Sequence, residues 1–212
     1  MVKRNTVVSI MVIGSLWGMA EATLGYLAHV ISLFTFYGVS GMLMSAVALY
    51  FMRMAVKTTQ KTSSIFYVSI IAASIKLFDL FLPFLPVTKT INPAIAILAE
   101  GLAVTVAYNV FFSSKKFFSA ALFTGIGWRV LYTAKIALLG IIFTGSYSLP
   151  VPALNYVLSF IIAQGILNGL ILYPVFKTEK IYELKGELAY RPEFAIISVA
   201  LAVSFELLSR IV

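Results

Sequence analysis

The sequence contains no cysteine and a single histidine, His29. Disulfides, thiolate catalysis, cysteine-bound metals and multi-histidine metal clusters are thereby excluded. Charge is also scarce, at 11% of 212 residues, where a soluble domain carries about a quarter. Acidic groups are the rarest, with 8 Asp and Glu against 16 Lys and Arg. No GxxxxGK[ST] loop is present, so the chain does not bind and hydrolyse ATP through a P-loop. HExxH, GxSxG and DDxxD-like acidic clusters are missing too, which argues against an intramembrane protease or a magnesium-dependent prenyl transferase. Neither a repeat, a low-complexity tract nor a composition break divides residues 1–212, so a single domain is expected.

Long apolar runs fill the rest. The chain is 61% hydrophobic with a mean hydropathy of +0.99. That composition predicts an all-α, polytopic transmembrane bundle of six or seven spans, since a span needs about 20 apolar residues. Helices are expected over Thr6–Ala28, Val39–Met52, Ile65–Leu82, Ala94–Phe112, Phe117–Phe143, Ala153–Phe176 and Phe194–Ile211. The second is short unless Ile31–Phe36 extends it, and His29–Gly41 reads as a kinked helix start or a dipping loop. Asn92 and Pro93 predict an N-cap and first turn for the fourth helix. Lys3–Arg4 and the following apolar run imitate a signal peptide, but the run continues past Ala20-Glu21-Ala22 to Tyr26, and an uncleaved first span is expected.

Orientation follows from the basic residues. With the N-terminus in the cytoplasm, the inner segments hold Lys3, Arg4, Arg53, Lys57, Lys61, Lys115, Lys116, Lys177, Lys180, Lys185 and Arg191. The outer segments hold Lys89 and Arg210, so the positive-inside bias is strong. It accounts for the net charge of +8 without a nucleic-acid partner. The segment Lys177–Glu193 reads most simply as a solvated cytoplasmic loop.

Seven ionisable residues nevertheless lie within the apolar runs: Glu21, Lys76, Asp79, Glu100, Arg129, Lys135 and Glu206. Each costs about 2.5–3.5 kcal/mol at bilayer depth even on lenient scales. At 1.5 Å per residue, the acidic ones all fall in the outer halves of their spans. An outward-facing polar cavity produces that distribution. Small residues share faces with the charges: Gly14, Gly18 and Gly25 with Glu21; Ser69, Ala72 and Ala73 with Lys76 and Asp79; Ala96, Ala103 and Ala107 with Glu100. Such faces pack against other helices, leaving Leu, Ile, Val and Phe for lipid.

Two readings of these charges stay open. Lys76 with Asp79 and Glu206 with Arg210 have helical spacing for internal ion pairs, and Lys135 is placed to snorkel. Glu21, Glu100 and Arg129 have no local partner; they either join helices or meet a ligand. Trp128, Tyr132 and Lys135 share a face that fits a stacking wall or an interfacial aromatic belt. Gln164 and Asn168, spaced i, i+4, can hydrogen-bond a ligand or another helix.

The stretch GSLWGMAEATLGYLAH, the following YGVSGMLMSA and the later INPAIAILAEGLAV resemble the substrate-binding S components of energy-coupling-factor vitamin importers. Size and short loops are similar as well. The resemblance implies a subunit without its own ATPase that partners a membrane coupling protein and ABC ATPases. It implies docking on that coupling protein through small residues of helix 1, here Gly14, Gly18 and Ala22. It also implies an outward cavity capped by the loop between helices 1 and 2, here His29–Gly41. Members usually have six helices, and a seventh is a departure.

The expectation is therefore a multi-pass protein of the cell membrane that is not an enzyme and carries no cofactor or metal. It would capture a polar or zwitterionic vitamin-like molecule with Glu21, Lys76, Asp79, Glu100, Trp128, Arg129, Gln164 and Asn168. One rival is an autonomous ion-coupled transporter or channel using Glu21 and Glu100, although the inverted repeats common in such carriers are not seen. The other is a membrane enzyme, with Glu21, Glu100 and His29 as its chemistry, or an assembly scaffold.

Overall fold

A computed structural model describes residues 5–34, 39–144, 152–185 and 190–210. Within them the chain is helical, without a strand. Eight α-helices follow one another: α1 (Thr6–Leu33), α2 (Val39–Thr59), α3 (Ser64–Leu77), α4 (Val87–Ala107), α5 (Phe117–Thr144), α6 (Pro152–Leu158), α7 (Gln164–Lys177) and α8 (Pro192–Leu208). A 3₁₀ turn, Phe78–Phe81, prolongs α3, and a π turn, Tyr108–Phe112, prolongs α4. A second π turn, Ser159–Ala163, joins α6 to α7, so 152–177 forms one rod and the eight helices make seven rods.

The helix starts follow ordinary capping chemistry. The Asn5 side chain accepts from the backbone N–H groups of Val7 and Val8 at 3.1 and 3.4 Å, satisfying two donors that α1 cannot. Pro192 occupies the first position of α8, where a missing N–H costs nothing, and Glu193 follows in the positive end of the helix. The turn after α4 closes at Lys115, whose φ of 53° lies in the left-handed region.

Several boundaries differ from the sequence reading: the first helix runs past the expected Ala28 to Leu33, and the last begins at Pro192, two residues before Phe194. The fourth helix begins at Val87, and Pro93 sits inside it. Pro86 precedes the first turn, and Asn92 accepts from the Lys135 ammonium at 2.7 Å in place of capping a helix. The second helix gains its length at its C-terminal end, running to Thr59, so Arg53 is a helical residue and not a loop residue. Arg53 is buried, and that burial is tolerable because its Nε donates to the Tyr108 hydroxyl at 3.0 Å. Its Nη1 donates to the carbonyls of Val175 and Thr178. The 178–185 segment is likewise not simply solvated. Ile181 is buried, its carbonyl accepts from Lys57 at 2.7 Å, and the Leu184 N–H donates to Thr58 at 3.0 Å. Residues 35–38 of the expected capping loop, and the His29 side chain, lie outside the described residues.

The adjacencies arrange the rods in two rows. One row runs α8, α1, α2, α7; the other runs α3, α4, α5. Across the gap α1 meets α3, α2 meets α3 and α4, and α5 meets α7. Trp17, Leu49, Met52, Ile65 and Val68 fill the centre and are fully buried. Outward faces are apolar: on α8 alone, Ile196, Ile197, Leu201 and Phe205 are exposed. Among the described residues, five stretches are long and apolar enough to cross a membrane: Thr6–Gly25, Val39–Thr59, Ser64–Phe81, Val87–Phe112 and Ser159–Lys177.

Glycine sets the closest approaches. A Cβ on Gly125 would stand 2.4 Å from the Gly165 carbonyl oxygen and 2.6 Å from the Gly169 nitrogen. The α5 and α7 backbones therefore touch through a Gly165-x-x-x-Gly169 pattern.

Candidate functional site

The charged and polar residues singled out in the sequence collect between the two rows, in two groups linked through Glu21. The first group joins the ends of α3 and α8. Lys76 pairs with Glu206, and with Asp79 at 3.6 Å. Arg210 meets Asp79 at 3.1 Å and Glu206 at 3.2 Å. The two i, i+3 and i, i+4 pairs expected along single helices thus close into one four-residue network across helices. Lys76, Asp79 and Glu206 are buried, and opposite charges at these distances offset part of their desolvation. Lys76 and Asp79, expected among the ligand contacts, are engaged here in holding α8 to α3.

The second group lies between α4, α5 and α7. Arg129 is 0% exposed. Its Nη1 donates to the Gly125 carbonyl one turn earlier at 2.9 Å, and its Nε has no partner. The guanidinium stacks 4.3 Å from the centre of the Trp128 ring and 5.2 Å from that of Phe160. Such contacts hold a cation in place without neutralising it. Trp128, Tyr132 and Phe160 form a three-ring wall with centroids 5.9–6.3 Å apart. Phe160 is delivered by the π turn between α6 and α7, and such turns concentrate at functional sites.

Glu100 is 7% exposed and faces Arg129 and Glu21 within electrostatic reach. Among the described residues, the salt bridges within 4.0 Å are those of the α3–α8 network and Lys185 with Glu183. Neither Glu100 nor Arg129 belongs to one. Among the described residues, six buried side-chain atoms lack a hydrogen-bond partner; four of them, Thr124 Oγ1, Trp128 Nε1, Arg129 Nε and Gln164 Oε1, lie on α5 or at the start of α7, and the other two, Asp79 Oδ1 and Glu206 Oε2, belong to the α3–α8 network. Native interiors rarely leave such atoms unmet, and each costs about 1–3 kcal/mol.

Glu21 connects the groups. Its carboxylate accepts from Trp17 Nε1 at 3.0 Å and lies within electrostatic reach of Lys76, Glu206 and Glu100. A chain of charges thus runs from Arg129 through Glu100, Glu21 and Lys76 to Glu206, Asp79 and Arg210.

The amides divide. Asn168 is fully buried and exchanges hydrogen bonds with Ser45 of α2 at 2.8 and 2.7 Å, so it joins helices. Gln164, one turn before it, keeps a free acceptor. The small-residue face of α1 is packed within the chain: a Cβ on Gly14 would meet Ile71 at 2.6 Å and one on Gly18 would meet Ile75 at 2.8 Å. Ala22 is buried as well.

Sequence reasoning passed over Thr124 and Phe160, which complete the second group, and Ser45, which takes Asn168 out of it. A serine, a threonine or a phenylalanine in an apolar run carries no signal until its neighbours are known. Sequence reasoning also passed over the Gly165-x-x-x-Gly169 spacing, which marks the α5–α7 contact and is the signal that could have found it. No group of three or more His, Cys, Asp or Glu able to hold a metal occurs among the described residues. A groove of about 530 Å³ between α4 and α5 is lined by Leu102, Val106, Phe123, Val130 and other apolar residues; it is an apolar surface and not the polar site.

Comparison of the chain with family models, curated proteins and solved structures finds no match.

Proposed function

We propose that this chain is the substrate-capture subunit of an energy-coupling-factor type importer, set in the cell membrane among its lipids with its N-terminus in the cytoplasm and six or seven spans. The observation that carries the reading is the unspent hydrogen-bonding capacity around Arg129: the Nε of its fully buried guanidinium, the Trp128 indole N–H, the Thr124 hydroxyl and the Gln164 amide oxygen have no partner, and Glu100, within electrostatic reach, stands in no salt bridge. A ligand that met these groups would remove their desolvation cost. The lack of a P-loop fits a subunit that takes energy from partner ATPases. The basic residues favour the stated orientation, which puts the α3–α8 charge network at the outer side. The seventh rod, α8, packs at the end of one row and leaves six rods as the body of the bundle. With Gly14 and Gly18 occupied by α3, a coupling protein would dock on another face.

The test is a mild-detergent pull-down of the tagged protein from its native host, read by mass spectrometry. Co-recovery of a membrane coupling protein and two ABC ATPases is expected. Recovery of the chain alone would overturn the reading and favour an ion-coupled carrier. That rival rests on Glu21 and Glu100, two carboxylates within each other's field and neither in a salt bridge. It predicts pH- or sodium-dependent transport by the pure protein in liposomes.

A further inference from the structure

The free atoms of the site differ in kind, and their difference has a chemical meaning. Trp128 Nε1 and Arg129 Nε are donors; an indole and a guanidinium have no acceptor to offer. Both belong to side chains at least nine-tenths buried, on one turn of α5, and the Arg129 charge has no carboxylate within salt-bridge distance. Two N–H groups and a full positive charge in a dry place form a receptor for an anion, most simply a carboxylate. On the neighbouring helices α4 and α7 the chemistry reverses. Gln164 Oε1 is an acceptor, and Glu100 of α4, once a cation beside it stabilises its carboxylate, accepts only. These groups suit an ammonium or another N–H-rich cation. The ring wall of Trp128, Tyr132 and Phe160 flanks the anion pole and offers an apolar surface to an aromatic group.

We infer that this site takes an aromatic zwitterion, with its anionic group on Trp128 and Arg129 and its cationic group on Glu100 and Gln164. The inference rests on the capture-subunit reading for its biological role, but the charge pattern stands on the geometry of the chain alone. A neutral ligand would leave the Arg129 charge unmatched and bring Glu100 no cation, and a singly charged one would leave the opposite pole bare. An isolated buried charge is strongly disfavoured, so matching both poles separates the zwitterion from its mono-charged analogues.

Three probes of one skeleton test this: L-phenylalanine, its decarboxylated form phenethylamine and its deaminated form 3-phenylpropionate. Isothermal titration calorimetry of the purified protein in detergent reads binding of each probe, in the Trp128→Phe variant as in the others. L-Phenylalanine is expected to bind at least tenfold more tightly than either analogue. Arg129→Gln should abolish the preference over phenethylamine, and Glu100→Gln the preference over 3-phenylpropionate. Trp128→Phe keeps a ring and removes the N–H; it should weaken the two carboxylate-bearing probes and spare phenethylamine. That pattern, read in variants that remain monodisperse, cannot arise from general destabilisation. Should Arg129→Gln fail to fold, the Trp128→Phe comparison still decides the anion pole.

Equal binding of L-phenylalanine and either analogue, or no binding of any of the three, would overturn the inference. The outcomes separate from those of the pull-down. Partners recovered without zwitterion selectivity would sink the charge assignment alone, whereas selectivity without partners would sink the importer reading alone.

Discussion

Gly125→Ala probes the α5–α7 contact directly. The new methyl would stand 2.4 Å from the Gly165 oxygen, 2.6 Å from the Gly169 nitrogen and 3.1 Å from its Cα. Carbon contacts settle near 3.5–4.0 Å, so the helices must separate by about 1 Å. All three obstacles are backbone, and no rotamer change relieves them. Overpacking of this kind costs about 1–3 kcal/mol. Separation also strains the reciprocal Ser45–Asn168 hydrogen bonds, because Asn168 immediately precedes Gly169; a buried amide left unmet adds about 1–3 kcal/mol. Better helix propensity returns about 1 kcal/mol. The net is a loss of about 3 kcal/mol, or roughly 6–12 °C in Tm at about 2–4 °C per kcal/mol for a chain of this size. Thermal unfolding in detergent measures it, with Gly25→Ala as the control. There the nearest atom to the new Cβ is Glu21 Oε2 at 3.8 Å, and stability should hold or rise. Equal shifts for the two variants would refute the close packing of α5 on α7.

The remaining predictions concern the charges and the other contacts. Lys76→Met should cost about 3 kcal/mol or more, since Asp79 and Glu206 keep only the partly exposed Arg210, and adding Glu206→Gln should recover part of that loss in a double-mutant cycle of chemical unfolding. Gly14→Ala should destabilise more than Gly18→Ala in the same assay. Its Cβ meets the branch carbon of Ile71, which is fixed to the α3 backbone, whereas at Gly18 the nearest atom is the movable end of Ile75. Arg53→Lys keeps the charge but loses the fork that reaches Tyr108, Val175 and Thr178 together, so limited proteolysis within 178–185 should accelerate several-fold; an unchanged cleavage rate would dismiss Arg53 as the anchor of that segment.

The all-helical bundle was legible because an apolar run of about 20 residues has few other solutions. The start of the first helix at Thr6 was legible from the onset of its apolar run. Helix ends were not legible where a distant partner decided: Asn92 looks like a cap in isolation, but Lys135, 43 residues away, takes its oxygen. The same holds for Arg53, whose charge points to a loop until the Tyr108 hydroxyl and two carbonyls are brought to it.

The charges show the division most clearly. That Glu21, Lys76, Asp79, Glu100, Arg129 and Glu206 would face protein follows from the sequence alone, because lipid solvates none of them. Which of them neutralise one another does not, because a helix fixes only neighbours three and four residues apart. The placement of α8 beside α3 turns Lys76, Asp79, Glu206 and Arg210 into a closed network. The packing of α4, α5 and α7 leaves Arg129 and Glu100 outside any salt bridge, beside atoms with bonds still to make. Burial was written in local hydropathy; pairing was decided by which rods touch, and that depends on contacts more than a hundred residues apart in the chain.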